Sequence, residues 1–150
     1  MKWFPTGVML LASTACAIRP PVARDFDDLA DYHAASFTEV WGVVIDVLAD
    51  RNWAIDNLER DRGAVATDWM RDVDLSYLDC GSPGLRASDN DYTGRFDVVV
   101  RETDNGVSIR VTTSWQVVRS TSNSVGIVQC LSTGILEREL HDEVRRRLES

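Results

Sequence analysis

The chain of 150 residues carries one lysine, Lys2; every other basic residue is arginine. A bias of that kind reflects genome composition more than a chemistry that needs guanidinium groups. No apolar run reaches the roughly 20 residues that a membrane-spanning helix requires. Only two histidines occur, His33 and His141. They stand far apart, neither has metal-ligand spacing nearby, and both are expected on the surface. There is no G-x-S-x-G, no H-E-x-x-H and no glycine-rich phosphate loop, so the common hydrolase, zinc-protease and nucleotide-binding constellations are excluded. Nothing pairs a general acid with a general base. Neither an enzyme nor a cofactor is expected. Basic runs are absent too, and the formal net charge is −8. Such a chain has no electrostatic footprint for nucleic acid and would not adhere to anionic lipid by charge alone.

What is present begins with a leader. Lys2 supplies a short positive region, "WFPTGVMLLA" about ten mainly apolar residues, and "STA" a small-residue end. Residues 1–15 therefore read as a secretory signal peptide, and Pro5 and Gly7 speak against a buried helix. Ser13 and Ala15 fit the small-x-small rule of ordinary signal peptidase. Followed by Cys16, the same residues also resemble a bacterial lipobox, in which the cysteine thiol receives diacylglycerol before cleavage on its N-terminal side. Leucine usually stands three residues before that cysteine, and here Ser13 does. Both enzymes cut between Ala15 and Cys16, so the cleavage site leaves the choice open.

The cysteine count bears on that choice. Three cysteines in an exported chain leave one thiol over if two pair. Cys80 in "YLDCGSPG" and Cys130 in "IVQCLSTG" are each followed by small or turn-forming residues. Joining them closes a loop of about fifty residues, worth roughly 4 kcal/mol by loop entropy; the alternative is two separate buried thiols. If they pair, Cys16 is the spare, and a thioether to lipid makes a spare thiol harmless. The count thus favours lipidation at Cys16, whose several acyl chains would meet the two-signal requirement for stable membrane anchoring. Ala17 rather than Asp follows the cysteine, which by similarity to enterobacterial sorting rules implies the outer membrane. Loss of the leader removes Lys2 and moves the formal charge from −8 to −9.

Residues 16–24 read as a tether, extended at Pro20 and Pro21, and residues 25–150 as a single α+β domain. "DFDDLADYHAAS" is ambiguous between a helical turn and an extended lead-in. Ser36 and Glu39 form a capping box, and Phe37, Val40, Trp41, Val44, Val47 and Leu48 lie on one helical face that ends near Asn52. The period then becomes two. Trp53 and Ile55, a turn at "RDRG" and alternating Val65, Thr67 and Trp69 predict a hairpin. Asn105-Gly106 predicts a second, with Phe96, Val98 and Val100 facing Val107, Ile109, Val111, Thr113 and Trp115. "VGIVQC" reads as a short strand, and "SYLDCGSPGLRASDNDYTG" as the one long loop. Ile135, Leu136, Leu140, Val144 and Leu148 predict a closing helix, with acids leading and Arg145, Arg146 and Arg147 last, as the helix dipole favours. The arginines are expected to be a solvated helix end. The whole predicts an antiparallel sheet with an N-terminal and a C-terminal helix packed on one face.

Three local patterns imitate function. "DNDYTG" looks like the start of a calcium loop, with Asp89, Asp91, Thr93 and Gly94, but Val100 stands where the closing Glu belongs, so a plain loop is expected. Cys130 precedes a helix, as reactive thiols can, but a disulfide accounts for it more simply. Trp41, Trp53, Trp69 and Trp115 could line a cleft, although core positions are the commoner use of such residues.

"EVWGVVIDVLADRNWAIDNLERDRGAVATDW" resembles the opening of BamC-like (NlpB) domains, in which a helix carrying V-W leads through an aromatic and a D-x-x-G turn into a strand ending T-D-W. "CLSTGILERELHDEVRRRL" is similar to the final helix of small lipoproteins of that kind. The resemblance spans most of residues 36 to 149. It implies a helix-grip fold and a non-enzymatic outer-membrane lipoprotein, lipid-anchored on the periplasmic face and accessory to outer-membrane assembly or maintenance. The implied partners are the membrane, through the anchor, and another envelope protein. A second expectation, from the tryptophans, is a small apolar ligand or lipid held in the groove between sheet and helices.

Overall fold

In a computed structural model that describes residues 18–32 and 34–150, the first helix starts where its capping signal stands. Ser36 and Glu39 close a reciprocal capping box, and α1 runs Phe37–Asp50, satisfying backbone donors that the first turn leaves orphaned. Helical spacing then gives way to alternation. Strand β2 (Ile55–Glu59) turns through a single 3-10 turn at Arg60–Arg62 into β3 (Ala64–Thr67). Gly63 closes that turn at φ 62°, a left-handed conformation that costs glycine little.

The centre of the sheet is the long hairpin of β6 (Ala87–Thr103) and β7 (Gly106–Thr121). With β8 (Val125–Ser132) and the short strands β4 (Met70–Arg71) and β5 (Leu78–Asp79), the strand order is β2-β3-β6-β7-β8-β5, every pairing antiparallel. Strand β4 pairs with β6, and β1 (Leu29–Tyr32) with β7. The closing helix α2 spans Ile135–Leu148. Phe96, Val98 and Val100 of β6 share one buried cluster with Val107, Ile109, Val111, Trp115 and Val117 of β7. Val40, Trp41, Val44, Val47 and Leu48 of α1, and Leu136, Leu140 and Val144 of α2, enter the same cluster. The alternate residues Arg95, Arg110, Thr112 and Ser114 are exposed. One side of an antiparallel sheet thus shares its core with two amphipathic helices, an α+β architecture.

Four expectations change. The ambiguous lead-in is strand β1. Asp28 O accepts from Val111 N at 2.8 Å, and the Arg110 guanidinium meets the Asp28 carboxylate at 3.0 Å. That lead-in covers α2, so His141 is 4 % exposed rather than a surface residue. The predicted long loop is largely ordered. It holds the end of a 3-10 turn at Leu75–Tyr77, strand β5, and about the first half of β6. "DNDYTG" belongs to β6, where a bulge between Asn90 and Thr93 sets Asp91 at φ 50°. Finally, β3 ends at Thr67, so Val65 and Thr67 are buried as alternation requires while Trp69 remains 40 % exposed. The arginine end of α2 is tied down. Arg145 pairs with Asp142 at 3.1 Å, Arg146 with Glu143, and Arg147 with Glu143 and with Asp50, each at 2.8 Å.

Candidate functional site

Two surfaces combine side chains that a folded core does not consume. The first is an aromatic cleft of about 420 Å³ between the start of β2, the segment 68–74 and the first turn of α2. Trp53, Trp69, Met70, Tyr77, Trp115 and Leu136 supply its apolar lining. Trp53 is fixed edge-on to Phe96, ring centroids 4.9 Å apart at 79°, and Tyr77 lies 6.0 Å from Trp115. Arg51 stands over the Trp53 ring at 4.9 Å and Arg95 over Trp69 at 5.1 Å, so cation–π contacts hold both indoles from outside. The Glu139 carboxylate accepts from the Tyr77 hydroxyl at 2.9 Å and from Arg51 at 3.3 Å. Burial, then that carboxylate, pushes the Tyr77 pKa up to about 12, so the phenol keeps its proton. Thr133 bonds back to this turn through Thr133 N to Tyr77 O at 3.0 Å and its hydroxyl to Ser76 O at 2.6 Å.

Asp68, Asp72 and Asp74, with a single cation, Arg71, among them, also line the cleft. Asp74 caps the 3-10 turn, accepting from Ser76 N at 2.8 Å, and that backbone bond holds its carboxyl below the usual range. A cleft of flat aromatic walls with acids around it suits a planar apolar ligand that is neutral or cationic.

The second surface is the free edge of β8. On one side Val125–Cys130 pair with β7; on the other, β5 meets only Leu131 and Ser132. Among the described residues no strand covers the remaining edge. Val125 and Ile127 are 70 % and 64 % exposed, and no charged residue occurs from Ser120 to Leu136. The opposite edge strand β2 carries Asp56 and Glu59. Charges on an edge strand deter pairing with another chain, and β8 lacks them.

Cys80 and Cys130 stand at disulfide distance, with Cα atoms 4.3 Å apart and 50 residues between them in sequence. Cys16, the leader and His33 lie outside the described residues. No described helix is long and apolar enough to cross a membrane, and among the described residues no group of three or more His, Cys, Asp or Glu could hold a metal. Of the four tryptophans weighed for a cleft, Trp53, Trp69 and Trp115 are brought together, whereas Trp41 packs on Phe37 with centroids 5.9 Å apart.

Helix α2 also buries an acid and a base that spacing alone does not mark as buried. Glu137 and His141 lie one turn apart on α2, 1 % and 4 % exposed. Glu137 Oε1 accepts from the hydroxyls of Thr113 at 2.8 Å and Ser132 at 2.7 Å, while Glu137 Oε2 and His141 Nδ1 are buried without partners. His141 Nε2 lies 3.2 Å from Asp28 O, and burial holds its pKa below the ordinary value. The Tyr77 contribution was equally hidden, although Asp74 before "LSY" is a turn-capping signal. The charge-free stretch of β8 was readable, but its open side was not. No protein-family model matches this chain, and no curated protein matches it in sequence.

Proposed function

We propose that this chain is a non-enzymatic lipoprotein of the bacterial envelope. In this reading it is exported by its leader, lipidated on Cys16, held on the periplasmic face of the outer membrane, and used as an interaction module in outer-membrane assembly or maintenance. The observation that carries the interaction role is the uncovered, charge-free edge of β8. An extended segment of a partner protein can add there as a further strand, with main-chain hydrogen bonds giving affinity and Val125 and Ile127 meeting alternate side chains. The fold is read as helix-grip and BamC-like; two amphipathic helices sharing one core with an antiparallel sheet support that reading.

Site-specific photo-crosslinkers test it in cells at native abundance. Crosslinkers at Val125 and Gln129 should capture a reproducible envelope protein, one at Leu58 on the β2 edge should not, and Ile127→Lys should abolish capture while leaving the circular dichroism unchanged. Equal capture from both edges, or none from β8, would count against strand addition.

The aromatic cleft favours a second reading, the binding of a small apolar ligand, and its acidic mouth selects a neutral or cationic one. Native mass spectrometry of protein taken from its own cells should then show a bound mass that is lost in Trp69→Ala.

A further inference from the structure

The segment that follows Cys16 lies against the domain rather than hanging free of it. Ser82 N donates to Arg19 O at 2.7 Å, the Arg19 guanidinium meets the Asp79 carboxylate at 3.2 Å, and Val22 N donates to Asp79 Oδ2 at 3.3 Å. Gly81, at φ +70°, allows the two backbones this approach, because a Cβ there would overlap Arg19 O. A Cβ on Gly84 would come within 3.3 Å of Ile18. Residues 18–22 and the turn 81–86 therefore form one corner, next to the Cys80–Cys130 link.

The corner exposes what folded surfaces usually hide. Leu85 is 84 % exposed, Ile18 71 % and Val22 50 %, and nothing in the core accounts for three such side chains in one place. Their covalent position does. Ile18 follows Cys16 by two residues, so their Cα atoms can be at most about 7 Å apart. A lipid on Cys16 brings this corner to the bilayer surface. Residues 18–22 and 81–86 include no acid, although the chain as a whole is acidic. Asp79 is paired with Arg19, and Asp89 with Arg119 at 2.6 Å; Arg119 also donates to Cys80 O at 2.9 Å. Arg86, exposed beside Leu85, can lay its stem on the apolar surface and keep its guanidinium among phosphates.

We infer that the corner built from residues 18–22 and 81–86 is a second membrane contact, in which Leu85 and Ile18 enter the lipid interface beside the anchor. The inference rests on lipidation at Cys16. It converts a tether into a fixed mount: the domain meets the bilayer through a defined corner, because the anchor-proximal segment, β5 and β8 are joined by hydrogen bonds, an ion pair and the cysteine link. A few apolar side chains bind lipid weakly alone; beside an anchor that already holds the chain at the membrane, they fix its orientation.

The test uses the full chain expressed in a bacterium, extracted from membranes and reconstituted in vesicles of phosphatidylethanolamine and phosphatidylglycerol. Intact mass first reads the lipid on Cys16. Amide hydrogen exchange at Leu85 and Arg86 is then compared with that of soluble Cys16→Ser protein. Exchange should slow by at least fivefold on vesicles and return to the soluble rate in lipidated Leu85→Asp or Leu85→Ser. Both substitutions fall on an exposed side chain, and tryptophan fluorescence verifies their folding. Lipid present with no slowing, or slowing that both variants retain, overturns this inference and leaves the anchor standing. An intact mass without lipid overturns both.

Discussion

Gly94 lies against the indole of Trp115, its cross-strand partner in the β6–β7 hairpin, so closely that a Cβ at position 94 would overlap the six-membered ring. The glycine is present for space, and the space belongs to the largest fully buried side chain of the core. Trp115 in turn forms part of the cleft wall with Tyr77.

Gly94→Ala should therefore destabilise the fold by overpacking, at about 1–3 kcal/mol. The denaturant midpoint should fall, and the emission of the tryptophans should shift as the Trp115 ring is displaced. An alanine variant as stable as the parent, with unchanged emission, would mean that the ring can move aside at no cost.

Reducing the Cys80–Cys130 pair should lower stability by roughly 4 kcal/mol on the loop-entropy estimate for its span. Equilibrium unfolding with and without reductant measures this, and Cys80→Ser with Cys130→Ser should reproduce the reduced value. The loss should also loosen β5, which pairs with β8 through only Leu78 and Asp79; exchange at those two amides should rise first.

Acidification should weaken the docking of the lead-in on α2. Burial lowers the His141 pKa in the folded chain, with Arg145 adding to that effect and Asp28, Asp142 and Glu137 opposing it. The unfolded chain therefore takes up this proton at higher pH than the folded one. The stability His141 contributes is full above its unfolded value of about 6.5 and is lost as pH falls through that value towards the folded pKa. His141→Gln should flatten this part of the stability–pH curve, read by thermal unfolding between pH 7.5 and 5; the carboxylates set whatever dependence remains below.

Trp69→Ala should separate binding from folding. Trp69 is 40 % exposed and lines the cleft, so its loss should cost under about 1 kcal/mol of stability while removing one wall of the cleft proposed to hold a ligand. Ligand-dependent changes in tryptophan emission should fall at least tenfold in this variant. Ser36→Ala, by contrast, removes the N-cap of α1 and should cost about 1 kcal/mol without touching the cleft.

Local periodicity and turn chemistry are written along the chain, and they sufficed for much of the fold. The capping box at Ser36, the 3.6-residue spacing from Phe37 to Leu48, the Asn105-Gly106 turn and the alternation on β6 and β7 each need only neighbours in sequence to declare themselves. The same is true of the cysteines whose setting in sequence singled out Cys80 and Cys130, which stand at disulfide distance. The α+β class follows from the order of these signals.

Where a side chain's fate depends on what covers it, sequence could not decide. His141 is polar and sits on a helix, yet strand β1, more than a hundred residues earlier, closes over it. Trp69 continues an alternation in sequence, but the strand stops at Thr67 and leaves it at the mouth of a cleft. The tether reads as free because Pro20 and Pro21 forbid a helix; its partners Asp79 and Ser82 lie some sixty residues away. Sequence alone determined α1, α2 and the central turns, since those rest on local sterics and spacing; β1, β5 and the start of β6 extend because of the strands they pair with. Only tertiary structure decided which edge stays open, which aromatics meet, and which residues stand beside the segment 18–22, because each of those depends on contacts between distant parts of the chain.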